Sequence, residues 1–262
     1  MPYGLINADV MQTSTPNGVL GAKNASTLQN RLINAGFAIN QRGYVSNTAL
    51  SAGTYAHDRW KAGASGCTYT FTQGSAGVPI VITITAGSLQ QVIEGCNMPD
   101  GGTFTLSWTG TAQGRVNGGG YSTSPLIVTG LTAGANCTVE FNTGTCSFPQ
   151  LEVGSSATGF EYRQYGTEFN LCQRYYEVGG VSGYCPTASG FTAGTYVGAS
   201  ALWKVTKRAS PTTTIPSYTT TITNPPTVTG ADTVGASVTA VWSGTSGSVI
   251  GFGGTVNASA EL

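Results

Sequence analysis

Charge is what this sequence has least of. Asp, Glu, Lys and Arg together make up 8% of the 262 residues, where an ordinary soluble domain has about a quarter. Eleven basic and eleven acidic residues cancel, so no long-range field would gather the chain onto nucleic acid or anionic lipid, and neither is an expected partner. No apolar run approaches the roughly eighteen residues of a membrane-spanning helix, so membrane insertion is not expected. The opening Met1-Pro2-Tyr3-Gly4 lacks the basic and apolar regions of a signal peptide. Histidine occurs once, at His57, so any Ser/His/Asp or Cys/His arrangement would depend on one side chain. Its neighbour Asp58 is a poor orienting group, because adjacent residues on an extended strand point to opposite faces. The acids Glu94, Glu140, Glu152, Glu161 and Glu168 are scattered and give no ground for choosing the two that sugar hydrolysis needs. Gly114 to Gly120 do not open a helix after a strand, so they do not read as a phosphate loop. No close CxxC pair is present, and His57 is not near a cysteine cluster, which argues against zinc. The expectation is a protein with no catalytic residues, no metal and no cofactor. Its cysteines (Cys67, Cys96, Cys137, Cys146, Cys172, Cys185) are expected to be reduced and mostly buried.

Glycine, with 38 residues, and threonine fill the space that charge leaves. Threonine is β-branched and favours strands, and 40% hydrophobic content excludes a solvated disordered chain. Two-residue alternation supports the same class from Phe37 onwards. Val78, Ile80, Ile82 and Ile84 share one face with Thr83 and Thr85 on the other, and Phe104, Leu106, Trp108 and Cys137, Val139, Phe141 repeat the pattern. Turn signals at Asp100-Gly101-Gly102, Asn117 to Gly120 and Thr132-Ala133-Gly134 separate these stretches as in a β-sandwich. Before them, Asn24 to Asn34 places Leu28, Leu32 and Ile33 at near-helical spacing, with Asn24 or Ser26 as N-cap; a short helix or an extended arm fits. After about residue 176 a second β block contains Leu202 to Thr206, Thr219 to Thr223 and the alternating Val234 to Trp242. Pro211, Pro216 and Pro225-Pro226 fall at strand ends, edges or loops. The expected architecture is all-β: an N-terminal arm at 1–30, an antiparallel jelly-roll sandwich at 31–176 and a second, smaller sandwich at 177–262.

Two groups of residues stand out against this neutral background. Aromatic rings stack on sugar faces, and Ser, Thr and Asn hydrogen-bond sugar hydroxyls in concave, weakly charged sites. Tyr121 in a glycine-rich loop, with Tyr184, Tyr196 and Tyr218 in the second block, are the candidate ligand-binding rings. Trp203 and Trp242 lie in strand-like stretches and are expected in the core. The run from Phe160 to Tyr176 is the most charged segment. There Glu161, Arg163, Glu168, Arg174, Tyr175 and Tyr176 suit a structural junction between the two blocks, with planar Arg groups pairing carboxylates and stacking on rings.

Tyr3-Gly4-Leu5-Ile6-Asn7-Ala8-Asp9-Val10, Asn30 to Gly43, the Tyr55 to Trp60 element, Gln150-Leu151-Glu152-Val153-Gly154, the Phe160 to Tyr176 run and the ending Ser259-Ala260-Glu261-Leu262 resemble, in order, tailed-bacteriophage tail-fibre and minor structural proteins. The resemblance implies a virion component assembled in the host cytoplasm. Residues 1–30 would attach it to other virion proteins, and its jelly roll would be similar to carbohydrate-binding modules. It further implies a homotrimer, and a C-terminal β domain that contacts host surface polysaccharide or lipopolysaccharide. A decoration protein of capsid or tail is the first alternative, and a polysaccharide depolymerase the second.

Overall fold

The computed structural model describes residues 29–185, 194–220, 224–241 and 250–262. Residues 1–28, the stretch 221–223 and Trp242 lie outside it. The protein is all-β, as its alternation predicts, and every strand pairing is antiparallel. No helix among the described residues is long and apolar enough to cross a membrane.

The first unit contains β1 (Lys61–Phe71), β2 (Ile82–Ile93), β3 (Gly102–Thr109), β4 (Gly114–Val116), β5 (Leu126–Leu131), β6 (Cys137–Phe141) and β7 (Gly144–Val153). They form one seven-stranded sheet in the order β4-β6-β2-β7-β3-β5, with β1 on β2. Strand β2 is the pivot. One edge pairs with β1, while the other pairs with β7 through Ile82–Ile84 and with β6 through Leu89–Ile93. Such a switch requires a sharp bend, and β1 supplies it with register shifts on either side of Cys67 and Thr68. Gly87 lies at this corner with φ +68°, and a Cβ there would sit 2.0 Å from the Gly66 carbonyl oxygen. Only glycine lets the two backbones approach so closely. The sandwich thereby curls into a nearly closed, barrel-like sheet, filled by Trp60, Tyr69, Leu89, Phe104, Leu106, Val139 and Phe141.

The second unit contains β8 (Tyr176–Cys185), β9 (Tyr196–Leu202), β10 (Thr212–Thr220), β11 (Thr227–Ala231), β12 (Gly235–Val241) and β13 (Ile250–Ser259). These make two three-stranded sheets, β10-β13-β8 and β11-β12-β9, around a core that includes Val181, Val197, Trp203, Val238, Phe252 and Val256. Pro216 occupies edge strand β10 where the register slips between Thr214 and Ser217, a place that tolerates a missing N–H. Tyr176 at the start of β8 is the Cα partner of Ser259 at the end of β13. The chain therefore leaves and re-enters the first unit side by side.

Two expectations change and a third narrows. Of the Asn24–Asn34 stretch, residues 24–28 lie outside the described residues, and 29–36 run as coil, bends and a turn without helix, which leaves the extended-arm alternative. Several of their N–H groups are taken by side chains: Asn30 N donates to Glu161 Oε2 (2.9 Å), Ile33 N to Gln91 Oε1 (2.8 Å) and Asn34 N to Glu168 Oε1. Regular strand begins at Lys61, not Phe37. Residues 37–60 are held mainly by turns and isolated bridges, and Val78, outside β2, is exposed while Ile80, Ile82 and Ile84 are buried. Finally, the charged run contains a helix, α1 (Tyr165–Gln173), which buries Cys172 and Gln173.

Candidate functional site

Register builds one polar row across four strands of the first unit. Lys61 on β1 is opposite Gln90 on β2, Gln90 opposite Glu140 on β6, and Glu140 opposite Arg115 on β4. Directly opposed residues point to the same face, so these four side chains share it. Gln90, Glu140 and Arg115 border an open trough of about 540 Å³ whose other walls are Gly53, Gly63, Ala64, Asn117, Gly118 and Thr138. Glu140 is its electrostatic centre. Ser88 Oγ donates to Oε1 at 2.5 Å, while Arg115 donates to Oε2 through Nε at 2.8 Å and approaches it through a terminal nitrogen at 2.7 Å. Burial of Ser88 and Glu140 is possible because Gly63 has no side chain: a Cβ there would lie 2.0 Å from Ser88 Oγ and 2.9 Å from Glu140 Oε1. The Arg115 guanidinium lies 4.4 Å from the centroid of the Tyr121 ring. Burial and the Glu140 carboxylate raise the Tyr121 hydroxyl above its usual range, so it remains a neutral donor. At the opposite end, Lys61 Nζ donates to the Leu262 main-chain oxygen at 2.6 Å.

Of the candidate rings, Tyr121 alone flanks this trough. Tyr184 pairs with Gly251 on the outer face of the β10-β13-β8 sheet, and Tyr196 pairs with Val241 on the outer face of the β11-β12-β9 sheet. Tyr218 is opposite Gly254, whose own partner Val181 belongs to the core side, so it sits on the other face from Tyr184. All three are exposed, yet they face different ways and frame no common site. The members of the site that the sequence reading did not single out, Gln90, Arg115, Asn117, Thr138 and Glu140, come from three strands and a loop. No local motif marks them.

The charged run divides into two clusters. Arg163, Glu161 and Glu168 pair with one another at 3.2 and 3.1 Å and grip the Gln29–Asn34 backbone. A partly open pocket beside them, of about 50 Å³, has room for a water or two but not a sugar. Arg174 pairs with Glu94 at 3.2 Å, and Tyr175 donates to the same carboxylate at 2.9 Å. The rings of Tyr175 and Tyr176 carry Arg59 and Arg42, 3.5 and 3.7 Å from their centroids. Both arginines meet Glu261, and Leu262 O accepts from Tyr55 at 2.5 Å. Residues 260–262 thus clasp the first unit after the second is complete. Behind the clasp, Lys207 and Glu177 form a fully buried pair at 2.5 Å.

His57 and Asp58 make no acid–base pair. His57 packs among Phe37, Tyr44, Tyr69 and Phe71, and burial pulls it down to about 4, with Gln73 opposing. Asp58 instead accepts from Gln41. No group of three His, Cys, Asp or Glu side chains able to hold a metal occurs among the described residues. Cys67, Cys137, Cys146 and Cys172 are buried free thiols, Cys185 is half-buried and Cys96 is exposed. Fold and site together define an all-β protein with a charge-balanced polar trough on its first unit. No protein-family model, curated protein or solved structure matches the chain.

Proposed function

We propose that this protein is a non-enzymatic structural component of a bacteriophage particle, a tail fibre or receptor-binding appendage that adheres to host surface glycans, with the Gln90–Glu140–Arg115 trough as a sugar-contacting face. The observation that carries the binding reading is the convergence of a flanking ring, Tyr121, with amide, hydroxyl and guanidinium groups along one open, concave face. Sugars are bound by this combination of ring stacking and aimed hydrogen bonds. The virion setting rests on the resemblance in residues 3–10, 30–43, 55–60, 150–154, 157–158, 160–176 and 259–262. Trimerisation would multiply a weak single-site affinity by roughly two to four orders of magnitude without further contacts. Attachment to other virion proteins belongs to residues 1–30.

The test is co-sedimentation of the purified full chain with lipopolysaccharide and capsular polysaccharide from bacteria to which the particle adsorbs, alongside antibody labelling of the particle. The expected results are retention that Tyr121→Ala weakens, label at an adsorbing appendage, and polymer of unchanged length. Label confined to the head shell or tail tube would instead identify a decoration protein, and shortened polymer a depolymerase.

A further inference from the structure

Resting on the glycan reading above, we infer that Glu140 is a specificity-determining residue that reserves the trough for uncharged sugars by cancelling Arg115. Both carboxylate oxygens are committed, one to Ser88 Oγ at 2.5 Å and the other to Arg115 at 2.7 and 2.8 Å. Arg115 therefore has its Nε edge on Glu140, with its guanidinium carbon 4.4 Å from the centroid of the Tyr121 ring. The Nε edge of Arg115 is filled and its charge is balanced by Glu140, so an acidic sugar could reach only the remaining N–H groups and would set its own charge beside that carboxylate. The cation at the other end of the row, Lys61, is committed to Leu262 O and lies in the field of Glu261. What remains for a ligand is neutral. Among the described residues nothing hydrogen-bonds the Gln90 side-chain amide, and Thr138 lines the same wall. These groups exchange hydrogen bonds with hydroxyls and offer no counter-charge.

Glu140→Gln isolates the effect, since it keeps the shape and an acceptor for Ser88 while leaving the Arg115 charge uncancelled. The experiment measures retention of the full-length protein on immobilised mannan, dextran and galactan against polygalacturonate and hyaluronate. Wild type is expected on at least one neutral polymer and on neither acidic one. Gln90→Ala should weaken that retention about ten-fold, the value of one hydrogen bond. Glu140→Gln should gain binding to the acidic polymers that is lost again in high salt. Wild-type preference for an acidic polymer overturns the inference and leaves glycan binding standing. So does retention indifferent to both variants. Retention on none of the five, nor on the bacterial polysaccharides above, removes the glycan reading itself. The wild-type comparison needs no variant to fold, so the inference stays open to refutation even where a variant does not fold.

Discussion

His57 and Asp58 are adjacent in sequence and both wholly buried, yet they face separate environments: His57 Nδ1 lies 2.6 Å from the Tyr69 hydroxyl, while the Asp58 carboxylate takes the Gln41 N–H at 3.0 Å. Burial disfavours the charged form of each, which moves the base and the acid in opposite directions along the pH scale. It lowers His57 from 6.5 to about 4 and raises Asp58 from 3.8 to about 6, with Gln41 and Arg42 opposing the latter. Between pH 6.5 and 4 the unfolded chain holds a proton on His57 that the folded protein refuses, so this residue costs stability on acidification. Between pH 6 and 3.8 the folded protein holds a proton on Asp58 that the unfolded chain has lost, so this residue adds stability on acidification. Each contribution is about 3 kcal/mol, and the two nearly cancel. Urea denaturation across that range should show Asp58→Asn losing stability as pH falls and His57→Gln gaining it. Identical slopes in the two variants would refute the assignment.

Gly63→Ala tests the construction of the trough. The new methyl group would collide with Ser88 Oγ, so the Glu140 carboxylate should lose that donor at a cost of about 1–2 kcal/mol. Adding Ser88→Ala should recover part of the loss. A Gly63→Ala variant as stable as wild type, with unchanged polysaccharide retention, would contradict the packing described.

The clasp at Glu261 predicts a larger effect. Glu261→Gln leaves Arg59, which is fully buried, without its partner carboxylate, and removing one member of a buried pair typically costs about 3–5 kcal/mol. Limited proteolysis should then release the second unit sooner than in wild type. Equal proteolytic lifetimes would mean that residues 260–262 do not hold the units together.

Lys207 and Glu177 predict strong non-additivity. Burial lowers the Lys207 ammonium and Glu177 raises it again; the ammonium also donates to Gln173 O and Val205 O at 2.6 and 3.0 Å. Lys207→Met should destabilise by about 3–5 kcal/mol, whereas Lys207→Met with Glu177→Leu should be much closer to wild type. Additive losses in a denaturation cycle would show that the pair does not act as a unit.

The strands of the first core were legible because burial imposes a period of two: Phe104, Leu106 and Trp108 alternate in sequence and all enter the core. Helix α1 was not. Its Tyr-Gly-Thr-Glu-Phe-Asn-Leu-Cys-Gln carries Gly166, Thr167 and Asn170, all weak helix formers, so tertiary packing and the Glu168–Arg163 pair impose a conformation that local preference does not announce. Tyr121 could be named from its glycine-rich loop. Glu140 could not, because its meaning comes from Arg115, Ser88 and Gly63 on three other strands, and strand register is a property of the whole sheet. The clasp was hidden for the same reason: Arg59 and Glu261 are separated by 202 positions.

Tyr176 and Ser259 stand opposite each other where the chain leaves and rejoins the first unit, about 5 Å apart as antiparallel partners. Everything between them is a cassette with neighbouring ends. A sequence of any length whose termini meet as a strand pair could take its place without rethreading the barrel, and the Ala260–Leu262 clasp would close behind it unchanged. An exchange of this kind would leave the polar trough and Gly63 outside the replaced segment, while the surfaces bearing Tyr184, Tyr196 and Tyr218 lie within it.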